Sequence, residues 1–64
     1  MDRQHRDLLR RIDAWMKCTG KTPTRFGREA VRDPRFVFDL RNGRRPRAAT
    51  FRRVNAWLDR EGAR

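Results

Sequence analysis

The stretch TPTRFGREAVRDPRFVFDLRNG, residues 22–43, carries one signal twice. Thr22-Pro23 and Asp33-Pro34 each place a side-chain oxygen acceptor directly before a proline. The acceptor can cap free backbone N–H groups, and proline at a first helical position has no N–H to leave unsatisfied. The spacing therefore predicts one helix over 23–30 and another over 34–41, the second ending where Asn42-Gly43 offers a turn. Val31, Arg32 and Asp33 alone are left to join them. A connection that short forces a sharp corner, the geometry of a helix-turn-helix. Gly27 lies inside the first of these helices, where glycine costs about 1 kcal/mol relative to alanine. Its presence there implies a close approach by another helix.

Working outward, residues 2–18 read as a preceding helix. Leu8, Leu9, Ile12, Trp15 and Met16 recur with helical period, and Gly20 marks the stop. Arg44, Arg45, Pro46 and Arg47 form a basic linker. A last helix follows over 48–60, with Phe51, Val54, Trp57 and Leu58 as its apolar stripe. The expected fold is all-α: one domain over 1–64, a compact bundle of four or five short helices. Its core should gather these stripes with Phe26 and Ala30.

The net charge is +10 over 64 residues, and it is unevenly placed. Residues 21–53 hold eleven basic and three acidic side chains, whereas residues 54–64 are balanced at two and two. The excess coincides with the paired helices, and so much local repulsion suits a polyanionic partner. Sixteen of the basic residues are arginine, whose planar fork fits phosphates and base edges better than lysine does.

On a helical wheel of residues 34–41, Val37 and Leu40 share a side with Phe36 and should pack on Phe26 and Ala30. Arg35, Asp39 and Asn42 lie opposite, with Phe38 at their margin. A helix fits the major groove, where arginine can grip guanine O6 and N7 and a carboxylate can accept from cytosine N4. Arg35 and Asp39 are thus candidate base readers; four residues apart, they could also pair with each other. Phe38 is expected first to fold onto the core, with contact to a thymine methyl or to a second subunit as alternatives. Candidate phosphate contacts are Thr22, Thr24, Arg25 and Arg28 on the earlier helix, and Arg41, Asn42, Arg44, Arg45 and Arg47 around the following loop.

The run from Thr22 to Gly43 resembles the lambda and Cro repressor-like (XRE) family of helix-turn-helix proteins. The resemblance rests on a hydroxyl cap at Thr22, a small residue at Gly27, core aliphatics at Val37 and Leu40, and the ending Leu40-Arg41-Asn42-Gly43. That family commonly has glycine in the turn, where Val31 and Arg32 stand here. The resemblance implies a cytoplasmic, nucleoid-associated bacterial or phage regulator of transcription. Such a regulator would bind double-stranded DNA as a homodimer on half-sites about one helical turn apart. It places base-reading positions on Arg35 and Asp39, and phosphate positions near Thr22 and around the loop.

Two other function classes stand beside it. An RNA- or ribosome-associated basic domain would expose stacking aromatics, and here they occupy core positions. An antitoxin-type interaction module would need a toxin-binding surface beyond the last helix. Enzymatic chemistry is not expected: no nucleophile is set beside a base, and no glycine-rich phosphate loop or metal cluster appears. No cofactor, small-molecule ligand or membrane partner is expected. Cys18, the single cysteine, reads as a structural thiol in a reducing cytoplasm.

Overall fold

The computed structural model describes residues 2–62. It contains four helices among those residues: α1 (Arg3–Thr19), α2 (Pro23–Val31), α3 (Phe36–Arg41) and α4 (Ala48–Gly62). The Cα radius of gyration is 10.7 Å. The all-α bundle expected from the sequence is what forms.

Local chemistry sets the ends of α1 and α2. The Asp2 carboxylate accepts the His5 backbone N–H at 2.8 Å and opens α1. Gly20 closes it in the left-handed region, with φ of 72°. The Thr22 hydroxyl accepts the Arg25 N–H at 3.2 Å, and Pro23 follows as the first helical residue.

The third helix departs from expectation. It begins at Phe36, two residues later than the Asp33-Pro34 signal predicts. Asp33 does act as the local acceptor, taking the Arg35 N–H on Oδ1 at 3.0 Å. Its backbone carbonyl, however, accepts from Phe36 at 3.2 Å, three residues on, so the chain makes a tight turn first. The first helical bond runs from the Asp39 N–H to the Arg35 carbonyl at 2.9 Å. Residues 32–35 are therefore the connection.

Glycine at position 27 answers to that turn rather than to a neighbouring helix. A Cβ added there would overlap the Asp33 carbonyl oxygen, with the Asp33 carbon at 3.0 Å and Phe36 Cβ at 3.4 Å. The approach is made possible by Arg32, the C-cap of α2, which takes φ 58° and ψ 32°. This left-handed step folds the chain back so that the Asp33 N–H reaches the Gly27 carbonyl at 3.0 Å. A side chain in that conformation costs about 1–2 kcal/mol, and glycine avoids the cost. Arg32→Gly should accordingly stabilise the fold by about 0.5–1 kcal/mol, since the added freedom of the unfolded chain offsets part of the relief. A rise of a few degrees in melting temperature by circular dichroism is the expected reading; a fall would mean that the Arg32 side chain contributes packing.

One cluster fills the interior. Leu8, Ile12 and Trp15 come from α1, Phe26 and Ala30 from α2, Phe36, Val37 and Leu40 from α3, and Val54 and Leu58 from α4. Leu9, Met16, Val31, Phe51 and Trp57 are half-buried against it. At its centre Trp15, Phe26 and Trp57 meet edge to face in all three pairings, with ring centroids 5.2–5.3 Å apart. Edge-to-face geometry sets the positive rim of one ring on the negative face of the next. This contact ties α1, α2 and α4 together, and α3 closes the cluster through its own apolar side.

His5 was not marked by its residue type as a core position, yet it is 3% exposed. Its Nε2 lies 2.7 Å from the Leu40 carbonyl oxygen; the oxygen can only accept, so Nε2 carries the proton. Through this bond the start of α1 holds the end of α3. The sequence did contain a signal: His5 stands in helical register with Leu8, Ile12 and Trp15.

Candidate nucleic-acid interface

The apolar residues of α3 fix which face it turns outward. With about 100° per residue, Phe36, Val37 and Leu40 centre the buried side, and Arg35 and Phe38 each fall about 150° from it. Both are exposed, and Phe38, at 44%, is the one large hydrophobic so exposed among the described residues. The expectation that Phe38 folds onto the core is thus overturned. A helix of six residues has room for one inward stripe, and Phe36, Val37 and Leu40 occupy it. Arg35 is the N-cap residue of α3, and its side chain makes no ion pair among the described residues.

Asp39 stands differently. Its side chain is 26% exposed, and its Oδ2 lies 3.2 Å from Nη1 of Arg44. Its backbone carbonyl also accepts the Arg44 N–H at 3.0 Å. The pairing of Arg35 with Asp39 does not form; the carboxylate turns toward the loop after α3 instead.

The candidate phosphate contacts divide by whether an acid already holds them. Arg25 Nε donates to Glu29 Oε2 at 2.8 Å, and Lys21 Nζ lies 3.5 Å from Oε1 of the same carboxylate. These bonds, that from Arg25 foremost, hold the Glu29 carboxyl below its ordinary range. Arg41 Nη2 lies 3.6 Å from Asp13 Oδ1, and Arg45 pairs with Asp2. The Asp2 carboxyl is also lowered, chiefly by the His5 N–H it accepts and further by the Arg45 charge. Arg28 and Arg47 are exposed and have no ion-pair partner among the described residues.

Among the neutral candidates, the Thr22 oxygen accepts within the α2 cap, which leaves its O–H free to donate outward. Thr24 is half-buried in the first turn of α2, and Asn42 is exposed at the end of α3. Asp33, Asp39, Arg44, Arg45 and Arg47 share one open groove of about 410 Å³ between α3, the following loop and the start of α4. These tertiary pairings were not legible in the sequence: Arg41 and Arg45 find acids on and just before α1, far away along the chain.

Cys18 is exposed and free, so it is not a core thiol. Among the described residues no group of His, Cys, Asp and Glu is arranged to hold a metal ion, and no helix is long and apolar enough to cross a membrane. Comparison of the chain with protein-family models, curated proteins and solved structures returned no significant match.

Proposed function

We propose that the protein binds double-stranded DNA through a helix-turn-helix formed by α2 and α3, as a repressor-like regulator of the XRE kind. The observation that carries this reading is the outward face of α3. Arg35, with no ion pair among the described residues, and Phe38 both stand exposed inside the segment that holds most of the chain's positive charge. Major-groove readout needs an arginine free to turn its fork to guanine, and an apolar group beside it can meet a thymine methyl. Arg28 and Arg47, also without an ion-pair partner among the described residues, supply sequence-independent phosphate contacts, and Thr22 can add a hydroxyl donor at the start of α2. One domain of this size contacts few base pairs, so two copies on a two-fold site would supply genomic specificity.

The test begins with selection of binding sites from random duplexes, where a palindromic consensus is expected. On that consensus Arg35→Ala should weaken binding by about 1–3 kcal/mol and relax preference at one base pair, while leaving the fold's melting temperature nearly unchanged. Equal affinity and equal preference in wild type and variant would remove α3 as the reading element.

A further inference from the structure

The loop after α3 is rich in arginine, yet much of that charge is answered inside the molecule. Arg41 faces Asp13, Arg44 faces Asp39, and Arg45 faces Asp2. The Arg44–Asp39 pair differs from the others because both residues belong to α3 and its loop, and the backbone itself helps align them. The Asp39 carbonyl receives the Arg44 N–H at 3.0 Å while the Asp39 carboxylate receives the Arg44 guanidinium at 3.2 Å. The first bond fixes where the Arg44 side chain starts, so less freedom is lost in forming the second.

Exposure of the two partners is unequal. The Arg44 side chain is 76% exposed and the Asp39 side chain 26%. An outside anion can therefore reach the cation without first meeting the carboxylate, and must then compete with it. The competition is close, because an exposed ion pair is weak. A phosphate that wins leaves the Asp39 charge unpaired and close by, a second cost of the same sign.

We propose that Asp39 is a positioning residue that withholds Arg44 from duplex phosphates, lowering affinity for DNA of any sequence and the salt dependence of that affinity. The inference rests on the DNA-binding reading above and deepens it. Non-specific binding is dominated by phosphate contacts and the counterions they release, so withholding Arg44 weakens retention on DNA that α3 does not read while leaving the difference between cognate and other sites to the base contacts. In this arrangement Asp39 acts through Arg44, not through a cytosine.

The experiment uses a labelled mixed-sequence duplex of about 20 base pairs, titrated between about 50 and about 200 mM salt. Wild type, Asp39→Asn, Arg44→Ala and the double variant are compared, with melts by circular dichroism to confirm that each is folded. Asp39→Ser, which also lacks the carboxylate, is a second variant should Asp39→Asn be unfolded. Removing the carboxylate should tighten binding and steepen the slope of log affinity against log salt by up to about 0.9, so that the ratio of affinities across that range grows by up to about 3.5-fold. Arg44→Ala alone should change the slope by much less, and in the Arg44→Ala background the gain from Asp39→Asn should disappear. An unchanged slope in both carboxylate-free variants, or a gain that survives without Arg44, overturns the inference while leaving DNA binding intact. A wild type that does not bind the duplex overturns the DNA reading, and the inference with it.

Discussion

Gly27→Ala should destabilise the protein by about 2 kcal/mol or more, although alanine is the better helix former by about 1 kcal/mol. The reason lies in what the new methyl group meets. Overlap with the end of a flexible side chain is relieved cheaply, but here the obstacle is the backbone carbonyl of Asp33. That carbonyl cannot swing away freely, because it accepts the Phe36 N–H at 3.2 Å, and the Asp33 N–H is itself bonded to Gly27 at 3.0 Å. Relief would break the turn that sets α3 against α2. For so small a domain 2 kcal/mol corresponds to a fall of roughly 10 °C or more in melting temperature. Thermal melts of the purified variant by circular dichroism provide the check, and an unchanged midpoint would show that the turn yields. Any variant that survives should also carry a displaced α3, so its duplex binding should fall further than its folded fraction alone explains.

The same corner shows where sequence reasoning reaches and where it stops. Glycine inside a helix announced a close approach, and the approach is there. The partner was misjudged, because an acceptor followed by proline marks a tight turn as readily as the first turn of an α-helix. Which one forms depends on whether the Asp33 carbonyl bonds three or four residues ahead, and Gly27 leaves it room to take the shorter bond. Phe38 teaches a different lesson. The wheel set it at the outward margin, but the general preference of aromatic rings for the interior argued the other way. Register prevailed, since moving Phe38 inward would turn part of the Phe36, Val37 and Leu40 stripe into water. Periodicity of 3.6 made the helices and core legible. The ion pairs that divide the arginines into engaged and free were not, because Asp2 and Asp13 meet their partners only after α1 has packed across α3.

Phe26→Ala should have the largest effect of any single truncation in the centre of the fold, about 3–5 kcal/mol. Phe26 is completely buried, and its ring meets Trp15 at 5.2 Å and Trp57 at 5.3 Å. Truncation removes the ring's transfer free energy and both edge-to-face contacts, and it leaves a cavity beside the two indoles. The surrounding helices can collapse only partly, because Gly27 in the next position is pinned against the turn. A domain of this length has a total stability of only about 3–10 kcal/mol, so the variant should lose much or all of it and unfold at far lower urea. Urea titration followed by tryptophan fluorescence reads the loss directly, since both reporters touch the deleted ring. The outcome also separates two functions. If the aromatic residues were stacking platforms for single-stranded RNA, replacing Phe26 would weaken RNA binding in a protein that stays folded. With Trp15, Phe26 and Phe36 buried, duplex binding should instead vanish together with the folded state, along the same urea curve, while Phe38→Ala leaves that curve nearly unmoved.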